Sequence, residues 1–215
     1  EVVMYIERAL EPLVRRYSEN FKIVAVTGPR QVGKTTMLKH LMEEEAESGV
    51  DRVYVTLDNT AILQTAKEDP ALFLQRYRPP VLIDEIQKAP ELLPYIKMIV
   101  DERDDCGSVW ITGSQPLHLM KAVSESLAGR VGIVEMLGLS HSEVAGTPSE
   151  PYLPSADYFM RRVDMAKPFG VSEAYRQICA GSLPGIRALP DDLRAGGYES
   201  YLDTYIMRDI RDLVQ

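Results

Sequence analysis

The stretch GPRQVGKT, residues 28–35, constrains this chain more than any other part of it. It has the spacing G-x-x-x-x-G-K-[ST]. The apolar run KIVAVT (22–27) precedes it, and a helical pattern from Lys34 to about Ala46 follows. A strand, a glycine-bearing turn and a helix in that order aim several backbone N–H groups at one point. The helix N-terminus adds partial positive charge there, so the place suits phosphate. Lys34 can reach the β- and γ-phosphates of a nucleotide, and the Thr35 hydroxyl can ligate Mg²⁺. The expected nucleotide contacts are Gly28, Pro29, Arg30, Gln31, Val32, Gly33, Lys34, Thr35 and Thr36. The competing reading is a glycine turn that carries no ligand.

A second motif separates the two. VLIDE (81–85) is an apolar strand that ends in two carboxylates. Beside a phosphate loop, Asp84 is placed to hold Mg²⁺ and Glu85 to take a proton from an attacking water. Alone, the same letters would read as a solvated acidic turn. VWITGSQ (109–115) is another strand with a polar end, where Thr112 or Ser114 can sense the γ-phosphate or position water, or simply cap the strand. AGR (128–130) precedes a further strand. Arg130 there is either a surface arginine after a glycine turn or an arginine finger serving a neighbouring subunit's nucleotide.

The rest of the chain organises around these motifs. Five strands are expected at 22–27, 52–57, 81–84, 108–112 and 131–136. Helices are expected between them, including one capped at Asp69–Pro70, one over 91–103 and one over 115–127. Before the first strand, Ile6, Leu10, Leu13, Val14 and Tyr17 recur at helical spacing, interrupted by Pro12. Strands alternating with helices predict an α/β fold with a parallel sheet covered on both faces. The Gly/Pro/Ser-rich stretch 138–154 marks a boundary, inside which Ser140 and Glu143 have capping-box spacing. After it only helical patterns recur, at 158–165, 172–180 and 198–213. The expected division is residues 1–137 and residues 138–215.

Composition narrows the function classes. A net charge of −8 is not that of a generally basic nucleic-acid binder. Two cysteines, Cys106 and Cys179, lie in no metal-ligand spacing, which favours a reducing compartment, read as cytoplasmic. No apolar run approaches 18 residues, so no membrane insertion is expected. His40, His118 and His141 have no partner at ligand spacing and read as surface or capping residues, and Trp110 reads as core. The chain begins without Met and stops inside a helical pattern, so it is expected to be a piece of a longer protein.

Taken in order, GPRQVGKTT, Leu57–Asp58, Asp69–Pro70, IDEIQKAPELLP (83–94), the IK and VDE of 96–102, ITGSQ, SESLAGRV (124–131) and a terminal Y-x-x-x-Y-I-x-R-D-I (201–210) closely resemble prokaryotic AAA+-like ATPases. Those proteins carry a C-terminal domain of unknown function, sometimes described as nuclease-like. The resemblance spans nearly all of the chain. It implies a P-loop NTPase sheet of the AAA+ type followed by a small helical lid region. ATP is the implied nucleotide, with Lys34, Thr35, Asp84 and Glu85 in the roles above. The family's polar strand end falls on Thr112 and Ser114, and its AGR arginine on Arg130. Gln115 departs from the small polar residue expected there. The lid's glycine–proline turn is looser here, spanning Gly181 to Pro184, and the C-terminal domain lies outside the sequence. Arg187 is either a lid arginine or a surface residue.

Three functions follow. One is Mg²⁺-dependent ATP hydrolysis that moves a lid or attached domain, with a homo-oligomer if Arg130 acts in trans. The second is a nucleotide-gated interaction module that reports ATP to a protein partner or to the C-terminal domain with little turnover. The third, a small-molecule kinase, lacks a substrate-binding constellation. Nucleic acid as a partner rests on analogy alone.

Overall fold

Five strands form at the five apolar runs: β1 (Ile23–Thr27), β2 (Val53–Thr56), β3 (Val81–Asp84), β4 (Val109–Gly113) and β5 (Val131–Glu135). The computed structural model describes residues 5–114, 126–147, 153–166 and 169–206. Each strand lies within one residue of its expected bounds at either end. All pair in parallel, in the order β2-β3-β4-β1-β5. Every residue of β1, β3 and β4 is buried, which is why these strands read as continuous apolar runs rather than alternating ones. The edge strands β2 and β5 are only partly covered.

Helices α1 (Glu11–Asn20), α2 (Lys34–Glu47), α3 (Thr60–Glu68), α4 (Pro70–Arg76) and α5 (Leu92–Asp101) accompany the sheet. One core joins Phe73, Leu92, Ile96 and Val100 to Ile23, Val81, Ile83 and Ile111 of the strands. Each such side chain contributes about 1.5–3 kcal/mol of burial. Trp110 is core as expected, with its indole N–H donating to Ser18 Oγ at 2.8 Å and the Arg52 guanidinium 3.8 Å from the ring centre.

Three helix expectations need correction. The first helix starts at Glu11, not near Ile6, because Pro12 has no N–H to donate and belongs in a first turn. Helix α3 was not foreseen, although Asn59 caps it by accepting from Ala61 N at 3.0 Å and Ile62 N at 3.3 Å. The last helix, expected over 198–213, begins earlier, at Arg194, and passes at Leu202–Ile206 into a wider π turn. Of the helix expected over 115–127, residues 115–125 lie outside the described residues. So do Gln115 and His118. The Asp69 cap formed as read, accepting from Leu72 N at 2.9 Å, and so did the capping box of Ser140 and Glu143.

The chain divides into two compact units, Glu7–Gly138 and the remainder. The second unit holds α6 (His141–Val144), α7 (Ala156–Met165), α8 (Val171–Ala180), α9 (Pro184–Arg187) and α10 (Arg194–Tyr201). Its own core is small. Val171, Tyr175 and Ile178, one apolar face of α8, are all exposed. No helix among the described residues is long and apolar enough to cross a membrane.

Candidate functional site

Sheet register decides which side chains meet. Val26 of β1 stands opposite Thr112 of β4, Thr27 opposite Gly113, and Ile83 of β3 opposite Ile111. The loop after β1, the acidic end of β3 and the polar end of β4 therefore emerge side by side at the carboxyl edge of the sheet. Since β1 sits between β4 and β5 while the chain after it crosses to β2, this edge is also where the strand order reverses. Ligands of open parallel sheets bind at such a place.

The loop from Gly28 to Gly33 is shaped by backbone that most residues avoid. Gly28 has φ +139°, and a Cβ there would meet Met136 O at 2.0 Å, so only glycine fits. Gly33 has φ +96° and stands at the N-cap of α2. Gln31, with φ +62°, is one of two non-glycine residues with positive φ among the described residues. The other is Glu85, at φ +61°. Such residues cost about 1–3 kcal/mol each and cluster where function demands them. Lys34 is buried, its Nζ donating to Gly28 O at 2.9 Å and Pro29 O at 2.8 Å. Burial lowers the Lys34 pKa, while Glu85 and Asp84 oppose that fall and Arg30 adds to it. An ammonium stripped of water at the N-terminus of α2 is a ready partner for a polyphosphate.

Asp84, also buried, gathers three hydroxyls. Thr35 Oγ1 donates to both of its oxygens, at 2.9 and 3.1 Å. Tyr54 OH donates to Oδ2 at 3.0 Å, and Thr112 Oγ1 donates to Oδ1. Thr112 in turn accepts from Glu85 N at 3.1 Å. The Tyr54 hydroxyl is pushed up to about 12, first by burial and then by the Asp84 charge and hydrogen bond. An adjacent carboxylate and threonine hydroxyl form an all-oxygen donor set, the chemistry Mg²⁺ prefers. The residues present thus fit that ion. Ser114, buried at the strand end, donates to Glu85 Oε2 at 3.1 Å. Gln87 Nε2 donates to Ser114 Oγ at 3.0 Å and also to Glu85 Oε2.

Lys34, Thr35, Asp84, Glu85, Thr112 and Ser114 are thus brought together. Of the loop side chains, Pro29, Gln31 and Thr36 are exposed, whereas Val32 is buried and offers only its backbone. Arg130 is not with them. It precedes β5 and accepts from Ile23 N, at the amino edge, about 16 Å down the sheet at 3.3 Å per residue. There its guanidinium pairs with Asp101. The Asp101 hydrogen bond raises the Arg130 pKa, and the Arg130 bond lowers that of Asp101. Within its own chain Arg130 is out of reach of the loop. Arg187 is engaged inside the helical unit, donating to Gly181 O at 2.6 Å and Gln177 Oε1 at 2.8 Å.

Three residues of the site escaped the sequence reading. Tyr54 sits mid-strand with no motif around it. Gln87 lies inside IDEIQKAPELLP, where nothing in the sequence marks it out from its neighbours. Arg8 is buried and donates to Val32 O at 2.7 Å and Leu137 O at 2.8 Å, tying the loop to the segment after β5. Nothing around Arg8 in the sequence signals this. A cavity of about 520 Å³, lined by Arg15, Glu44, Arg52 and Trp110 among others, opens toward the amino ends of β2 and β4 and shares no residue with the loop.

Comparison with known proteins bears on the family and the fold. An uncharacterized protein of Mycobacterium tuberculosis and one of Mycobacterium bovis are each 29% identical over 201 residues, covering 93% of this chain and 38% of theirs. The chain thus spans little more than a third of the length of these curated relatives. Among solved structures, the Walker-type ATPase of Pyrococcus abyssi superposes with a TM-score of 0.56 at 15% identity, over 97% of this chain and 75% of that one. That likeness shows the fold. Residues 20–145, more than half of the chain and inclusive of every strand and both carboxylates, match the model of the AAA domain, and the chain belongs to that family of P-loop proteins.

Proposed function

We propose that the protein binds ATP with Mg²⁺ and hydrolyses it, and that the nucleotide state moves the helical unit or an attached domain. The observation that carries this reading is the ordered pair at the end of β3. Asp84 is bound to Thr35 of the loop, while Glu85 is turned by its left-handed backbone into the bonds of Ser114 and Gln87. A switch that only bound nucleotide would not need a second, separately held carboxylate.

In the proposed reaction the loop N–H groups and Lys34 hold the β- and γ-phosphates and offset charge that builds on them. Thr35 and Asp84 would hold Mg²⁺, which when bound neutralises phosphate charge. Glu85 accepts a proton from water as the water oxygen bonds to the γ-phosphorus. The bond from that phosphorus to the β–γ bridging oxygen breaks, leaving ADP and phosphate. Thr112 fixes Asp84 and the Glu85 backbone, and Ser114 bears on the Glu85 carboxylate. Arg130, out of reach in its own chain, serves the nucleotide of a second copy. The cytoplasm is the proposed compartment.

The test is phosphate release measured with and without Mg²⁺ over a range of protein concentration. Turnover that needs Mg²⁺ and rises per molecule as copies assemble is the expected result. ATP binding with background release at every concentration would instead favour a nucleotide-gated interaction module.

A further inference from the structure

Gln87 belongs to none of the roles above, yet its amide is built into the site. Its Nε2 carries two hydrogens, and both are used: one on Glu85 Oε2, the other on Ser114 Oγ at 3.0 Å. Ser114 passes its own hydrogen to the same Glu85 oxygen at 3.1 Å. The three side chains thus form a ring, amide to hydroxyl to carboxylate, closed by the second N–H of the amide on the same carboxylate. In that ring Oε2 of Glu85 takes two hydrogen bonds. No hydrogen bond from a described residue reaches Oε1. A carboxylate anchored through one oxygen and open at the other is a base with a fixed direction.

We propose that Gln87 is a positioning residue for ATP hydrolysis: it holds the Glu85 carboxylate, directly and through Ser114, so that Oε1 is the oxygen that takes the proton from water. This inference rests on the hydrolysis reading above. The carbonyl end of the same side chain argues against a merely structural role. Gln87 Oε1 is buried and has no hydrogen-bond partner among the described residues. An orphaned buried acceptor is unfavourable, since it gives up its water and gains no partner. A side chain kept for packing would be apolar there, or would have its carbonyl satisfied. What the position gains is the two N–H bonds. The strained Glu85 backbone points the same way, since a residue at φ +61° persists only where its surroundings hold it. Ser114 links this ring to the end of β4, so a phosphate that draws on the Ser114 hydroxyl also changes how Glu85 is held.

The experiment compares wild type, Gln87→Met, Gln87→Glu and Glu85→Gln in the full chain, each measured for ATP affinity, single-turnover rate and melting temperature. Methionine keeps the length of the side chain and removes both N–H donors. Glutamate keeps the shape and sets an acceptor against Glu85. The expected result is a rate about tenfold lower in Gln87→Met, the order of the one lost hydrogen bond that falls on Glu85 itself, and lower still in Gln87→Glu. In Gln87→Met, ATP affinity and melting temperature should stay near wild type. Adding Gln87→Met to Glu85→Gln should change the residual rate no further, because Gln87 acts through Glu85. Three outcomes overturn the inference while leaving hydrolysis intact. One is a Gln87→Met rate within about twofold of wild type, below one hydrogen bond's worth. The second is an equal loss when Glu85 is already Gln. The third is a loss that tracks ATP affinity or melting temperature in both Gln87 variants. A wild-type chain that binds ATP without turning it over removes the hydrolysis reading, and this inference with it.

Discussion

The two edges of the sheet in the Glu7–Gly138 unit use the same kinds of residue for different ends. At the amino edge Arg130 pairs with Asp101, Arg103 with Asp105, and Arg52 lies bonded to Glu45 over Trp110. The first two pairs are partly exposed and each is complete in itself. At the carboxyl edge Lys34, Asp84 and Glu85 are not simply paired. Lysine turns to backbone carbonyls, Asp84 to three hydroxyls, and Glu85 to a serine and an amide. Both positive-φ non-glycine residues, Gln31 and Glu85, are at that edge. Charges satisfied by neutral groups rather than by each other keep their field available to a ligand. Left-handed backbone at a residue other than glycine occurs there and nowhere else among the described residues.

Substitutions at the two edges should differ accordingly. Lys34→Ala should have the largest effect on binding, weakening ATP about 100-fold in a titration, the worth of a buried charge-assisted contact. Unchanged affinity would make the loop an ordinary turn. Thr112→Val, at a fully buried position, removes the bond to Asp84 and strands the Glu85 N–H. It should lower turnover about tenfold and cost about 1–3 kcal/mol in denaturant unfolding. Arg130→Ala should leave ATP affinity and dilute-protein turnover as they are, and abolish the rise in turnover on assembly. A loss of affinity in dilute protein would contradict its placement at the far edge.

Tyr54→Phe should have the smallest effect, a few-fold greater Mg²⁺ requirement, because two hydroxyls still hold Asp84. It also carries a pH signature. The Tyr54 pKa is raised from 10.0 to about 12, so folding binds that proton more tightly than the unfolded chain does. Its contribution is therefore full below pH 10 and fades between pH 10 and 12. The stability difference between wild type and Tyr54→Phe should narrow across that window, as read by unfolding at each pH.

What the sequence disclosed was local. β1 and the phosphate loop were legible because a buried strand, a glycine turn and a helix follow one another without interruption. The Asp84–Glu85 pair was legible because it ends an apolar run. Contacts brought from a distance were not. Tyr54 reaches Asp84 across 30 positions and Arg8 reaches Leu137 across 129, and neither has a neighbour that announces it. The sheet order, with β1 between β4 and β5, follows from the resemblance to AAA+-like ATPases and not from any strand's own letters. Helix α3 was missed because it spans nine residues and packs only one fully buried side chain, Ala66, so its periodicity is faint. Arg130 was found by its motif, but only the strand register shows which edge it occupies.

The central claim is that Glu85 converts a nucleotide-binding edge into a hydrolytic one. It is tested most directly by measuring ATP affinity and phosphate release together for wild type and Glu85→Gln with Mg²⁺ present. The account predicts equal affinity, with release falling at least about 100-fold in the variant, the contribution expected of a general base. Release from Glu85→Gln at the wild-type rate would contradict it.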